Sequence, residues 1–153
     1  LTSFGVVRQP SWFAHYLISH SVGQSLVATS PHRFNSTDPQ SFVDVLSTTA
    51  DADGSLRVQV LNTGSSISSI VLQVSAGAGA GGVDGDDSSQ ESDICDGTFK
   101  SDVLTADSLY EINTLTNPKN VLPSVSSVSV SDGAITVQLP AYSLTVFSIP
   151  KCN

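Results

Sequence analysis

The sequence predicts an all-β protein, an antiparallel, jelly-roll-like β-sandwich that carries one N-terminal helix. Three observations lead there. Ser and Thr make up about a quarter of the 153 residues, a composition that favours strands and turns over long helices. From about Leu26 onward apolar residues recur at every second position, the period of a half-buried strand. Turn signals such as Asp51-Ala52-Asp53-Gly54, Asn62-Thr63-Gly64 and Ser131-Asp132-Gly133 punctuate these runs, at the spacing of about eight to twelve residues that marks a sandwich.

The opening segment differs from the rest. Trp12, Phe13, Tyr16, Leu17 and His20 recur at intervals of three and four, which places them along one aromatic stripe of a helix. Pro10 suits the first turn of that helix and Gly23 the position just past its end. A short helix with so heavy a stripe needs a large apolar partner. Residues 1–24 are therefore expected to contact something outside the sandwich, or to fold back over it. The exposure of Trp12 decides the point, because full burial by the chain's own strands removes the reason to look elsewhere.

Strands follow at 41–48 and 55–62, joined by the hairpin signature at 51–54, with Leu56, Val58 and Val60 on one face and Arg57 and Gln59 on the other. Another is expected at 67–74. Residues 125–130 and 134–139 form a hairpin about Asp132-Gly133, and Pro140-Ala141 bends the chain into a last strand over 142–149. At least seven short strands are expected in all. Between the halves, residues 76–94 run Gly/Ala-rich and then acidic, a flexible surface loop with almost nothing to bury.

A chain of 15.9 kDa has room for one domain. Six Lys+Arg against fourteen Asp+Glu give a net charge of −8. That balance argues against nucleic acid and against an anionic membrane surface, both of which need clustered cations. No apolar run reaches the ~20 residues of a membrane span. Cys95 and Cys152 are read as a disulfide joining the loop to the C-terminus, against two free buried thiols. Closing a loop of that length stabilises by ~4 kcal/mol in the chain-entropy model. Asn35-Ser36-Thr37 is an N-glycosylation sequon. An even cysteine count, a sequon and low Lys content agree with an oxidising, extracellular setting. Leu1 opens without the features of a signal peptide, which points to a processed start or to the tail of a longer chain.

The residues offer little chemistry. Asp84, Asp86 and Asp87 lack the ligand order of a calcium loop. His15 and His20 are five apart and diverge by about 140° on a helix, and His32 lies in a loop. There is no Gly-x-Ser-x-Gly elbow, and the two glutamates, Glu91 and Glu111, do not announce a catalytic pair. No catalytic residue, metal site or cofactor site is assigned.

A resemblance emerges from the order of several motifs. Asn113-Thr114-Leu115-Thr116-Asn117-Pro118-Lys119-Asn120-Val121-Leu122-Pro123, a hairpin, and then Leu139-Pro140-Ala141-Tyr142-Ser143-Leu144-Thr145-Val146-Phe147 resemble the C-terminal domain of the α-L-arabinofuranosidases of glycoside hydrolase family 51. Gln9-Pro10-Ser11-Trp12-Phe13 followed by Ser19-His20-Ser21-Val22-Gly23 is similar to the helix that ends the family's (β/α)₈ barrel. Asp53 to Asn62 is similar to a strand-into-Asn segment of its sandwich.

The resemblance implies that residues 1–24 are the terminal strand and helix of a catalytic barrel that this chain lacks, and that 25–153 form the C-terminal sandwich. The family's retaining mechanism uses two barrel glutamates to release terminal arabinofuranose from hemicellulose and pectin side chains. Both glutamates would precede Leu1. The implied role is a non-catalytic accessory domain of a secreted enzyme, partnered by that barrel, with an N-linked glycan at Asn35 and plant cell-wall polysaccharide as the substrate of the whole. The long 76–93 insertion and the cysteine pair depart from the family pattern and leave open a related retaining hydrolase with the same tail. A free-standing carbohydrate-binding module and a small adhesion sandwich are the competing readings.

Overall fold

The computed structural model describes residues 6–27, 43–50, 53–74 and 94–152. One helix, α1 (Pro10–Ser21), precedes eight strands: β1 (Ser25–Leu26), β2 (Val43–Thr49), β3 (Leu56–Asn62), β4 (Ser68–Gln73), β5 (Gly97–Thr105), β6 (Ser124–Ser131), β7 (Ala134–Leu139) and β8 (Ser143–Ile149). All pairings are antiparallel, in the order β1-β2-β3-β8-β5-β6-β7-β4. The hydrogen-bond ladder is continuous through β5, which pairs with β6 over 97–103 and with β8 over 101–105. The two layers are thus halves of one curled sheet, and β6, β7 and β4 lie across the core from β3 and β8.

Alternation places the core. Leu56, Val58 and Val60 of β3 and Phe147 and Ile149 of β8 meet Val128, Val130, Ile135, Val137, Leu139 and Ile70 from the opposing half. Each such side chain contributes about 1.5–3 kcal/mol when fully buried. The β6–β7 turn is a two-residue hairpin turn with Asp132 at φ 51° and Gly133 at φ 70°, the left-handed pair that matches strand twist. Between β7 and β8 the chain switches layers rather than forming a hairpin. Tyr142 sits there at φ 45°, and its N–H donates to the Gly64 carbonyl at 3.0 Å.

Strand β5 was not expected as a strand. Its burial alternates from Phe99 to Val103, but the polar Ser101 takes one of the buried positions, and Leu104, under the helix, ends the alternation. The two-residue β1 is too short to leave a pattern.

Helix α1 lies on the outer face of β3, β8 and β5. Phe13, Ala14 and Leu17 pack on Leu104, Val121, Leu144 and Val146, forming a second, smaller core. Pro10 occupies the first turn as expected. Gly23 serves another purpose than a left-handed cap: a Cβ there would collide with the Thr49 carbonyl, so glycine lets the chain approach β2. Its N–H donates to Thr48 Oγ1 at 2.7 Å.

Candidate functional site on the helix-bearing face

The expected aromatic stripe divides into two rows. Phe13 and Leu17 face inward, and Leu17 is only 6% exposed. Trp12 and Tyr16 face outward, 42% and 46% exposed, so the chain's own strands do not bury Trp12. At i, i+4 spacing the outer row stacks into a column. The Arg8 guanidinium lies 4.2 Å from the Trp12 ring centre, Trp12 stacks on Tyr16 at 5.4 Å and 13°, and Tyr16 meets His20 at 4.1 Å. Along the outer row Trp12 thus has Arg8 and Tyr16 as neighbours, and Tyr16 has Trp12 and His20.

Polar side chains fix the helix at each end. The Gln9 side chain, instead of capping α1, pairs with the main chain of Asn113: Nε2 donates to the Asn113 carbonyl at 2.9 Å, and Oε1 accepts from its N–H at 3.3 Å. The buried Asn113 side chain donates to the Arg8 carbonyl at 2.7 Å and the Val121 carbonyl at 2.9 Å, and accepts from the Val121 N–H at 2.7 Å. At the other end, Gln59 Nε2 donates to Ser21 Oγ at 3.0 Å and Arg57 Nη1 to the Val22 carbonyl at 3.3 Å. The outward Arg57 and Gln59 of β3 thus meet polar groups at the C-terminal end of the helix, a carbonyl and a hydroxyl.

The helix separates two clefts. One, of about 560 Å³, runs between Arg8, Trp12, Phe13, Tyr16 and Leu17 on one side and Asp102 and Pro123 on the other. The second, of about 220 Å³, lies between the N-terminal half of α1 and the ends of β3, β5 and β8, with Glu111 and Tyr142 among its lining residues. Glu111 Oε2 accepts from Asn120 Nδ2 at 2.6 Å.

Cys95 and Cys152 form a disulfide, Cα–Cα 5.0 Å, across a sequence separation of 57. It sits beside the Ile94–Lys151 bridge and fastens the start of β5 to the chain after β8. Asn35, His32, Glu91 and the 76–93 segment lie outside the described residues. His15 and His20 are both exposed on α1. Among the described residues no three His, Cys, Asp or Glu side chains are placed to hold a metal ion together, and no described helix is long and apolar enough to cross a membrane. Asp53 is held below its usual carboxylate range, first by the Ser55 hydroxyl, then by the Ser55 N–H and more weakly by Arg57. The sequence reading missed Asn113 and Asn62 as buried nodes. Asn62 Nδ2 donates to the Ser66 and Pro140 carbonyls at 3.1 and 2.8 Å.

Fold and site together define an all-β domain with a pinned surface helix, an aromatic ridge and flanking clefts. No family model matches the chain, and no curated protein does. Solved structures do. The arabinose-bound MgGH51 α-L-arabinofuranosidase matches with TM-score 0.73 at 20% identity over 99% of this chain and 21% of its own. The α-L-arabinofuranosidase of Thermotoga maritima, in complex with arabinose, matches at 0.68 and 16% identity over 95% and 30%. The GH51 enzyme of Thermotoga petrophila RKU-1 matches at 0.65 and 17% over 94% and 29%. The chain therefore has the fold of one part of GH51 α-L-arabinofuranosidases, and spans less than a third of the length of these three.

Proposed function

We propose that this chain is the accessory C-terminal sandwich domain of a secreted α-L-arabinofuranosidase, and that it supports a catalytic barrel without carrying out catalysis itself. Residues 1–24 would be the last segment of that barrel and 25–153 the sandwich. The observation that carries this reading is the match of nearly the whole chain to a minor part of several arabinofuranosidases. The half-exposed Trp12–Tyr16 row supports it, since aromatic side chains gain most when a partner completes their burial. The disulfide and the sequon at Asn35 support an extracellular location and an N-linked glycan there. Plant cell-wall polysaccharide would be the substrate of the whole enzyme.

The test is made on native material. Intact mass and size-exclusion chromatography should find the 153-residue sequence within or bound to a heavier polypeptide that releases arabinose from p-nitrophenyl α-L-arabinofuranoside, while the purified 153-residue chain releases none. Hydrolysis by the isolated chain, with contaminating enzyme excluded, overturns the reading.

A further inference from the structure

We infer that the smaller cleft beside α1 is a socket for one bulky apolar side chain of the catalytic barrel, with a Lys or Arg next to it that meets Glu111. This rests on the accessory-domain reading. The apolar walls of the cleft are Ala14, Leu61, Leu104, Val121 and Leu144, drawn from five separate stretches of chain. Its volume of about 220 Å³ is below the 300–1,000 Å³ of ordinary small-molecule pockets, yet several times the ~30 Å³ share of a water molecule. That is the size class of a single large side chain.

Beside the cleft, the segment that supplies Glu111 also shows Leu109, 63% exposed, and Tyr110, 90% exposed, with Ile112 exposed next to them. A free small ligand would leave these uncovered, whereas a protein surface covers them in the act of filling the socket. An apolar pocket ringed by apolar contacts is the arrangement of an interface hot spot. Charge selects the occupant further. Among the described residues the Glu111 carboxylate is met by the neutral amide of Asn120, a contact that does not neutralise its charge, and the chain as a whole carries −8. An anion at the mouth is repelled, and a cation is attracted. The wall is also pre-formed: the left-handed Tyr142 is held by its N–H bond to Gly64, so little ordering remains to be done on binding.

The first experiment needs only the isolated chain. In ¹⁵N-labelled protein, benzylamine should shift the amides of Ala106, Leu109, Ser143 and Leu144 with a millimolar Kd. Benzoate, the same ring with the opposite charge, should bind about tenfold more weakly, or about 1.4 kcal/mol. Glu111→Gln should remove that difference, and Ser11→Phe, an exposed lining position whose substitution spares the core, should abolish the benzylamine shifts. Absence of shifts at these amides, or equal binding of the two probes, overturns the socket.

The second experiment uses the whole native enzyme. Hydroxyl-radical modification of Leu109 and Tyr110 should fall about fivefold relative to the isolated chain, as burial at an interface requires. Equal reactivity overturns the docking even where the native material is an active arabinofuranosidase. A native sample without that activity overturns the accessory-domain reading instead, and leaves the probe titration untouched.

Discussion

The interior of the curled sheet and the helix-bearing face are held together by different physics. Inside, twelve buried apolar side chains from six segments of chain interlock, and stability comes from area removed from water. Outside, the second core has five buried members, and the helix keeps its place through directed hydrogen bonds from Asn113, Gln9, Gln59 and Arg57. The first arrangement is closed on itself. The second is pinned at its ends and open along its outer row, which suits a surface that is rigid but still has burial to gain.

Four substitutions probe that contrast. Phe147→Ala, in the interior, should cost about 3–5 kcal/mol and lower helix and sandwich melting together, as read by urea unfolding followed at two wavelengths. If the helix survives this change, the two regions are not one cooperative unit. Asn113→Ala should cost about 2 kcal/mol, because it removes bonds to Arg8 and Val121 and leaves buried main-chain groups unpaired. Its mark is local: hydrogen exchange should quicken in α1 and around Val121 well before it quickens in β7. Trp12→Ala should cost the isolated chain about 1 kcal/mol or less, the size of a stacking contact. The same change should loosen the complex with a barrel far more, as read by co-purification. Asp53→Asn should have the smallest effect, and it should be felt at neutral pH and vanish in acid. Because the Asp53 carboxyl titrates below its usual value, its stabilising contribution is complete above about pH 4 and is lost as pH falls through the lowered value. Melting temperatures at pH 3 and pH 7 should therefore draw closer together in the variant.

The interior was largely legible in the sequence and the outer face only partly so. The alternation that marks β3 and the hairpin that marks β6 and β7 survive because at least one outward row there is polar: Arg57 and Gln59, or Thr136 and Gln138. Strand β5 hid because the polar Ser101 stands in its buried row and Leu104, covered by the helix, breaks the rhythm at its end. The helix itself announced its aromatic residues, but their division into an inward and an outward row depends on which side meets β8. Asn113 and Asn62 carried the resemblance yet looked like turn residues. Their partners Arg8 and Pro140 lie 105 and 78 positions away, beyond the reach of any local signal. The cleft with Glu111 has no sequence signature either, since chain segments distant in sequence assemble it.

Trp12 is the sole tryptophan of the chain, and it stands between a guanidinium and a phenol on the outside of the molecule. Its fluorescence therefore samples the ridge and nothing of the interior. Emission that shifts to shorter wavelength on assembly, while the far-ultraviolet dichroism of the strands stays constant, would make this one residue an optical gauge of whether the domain is engaged, with no label attached.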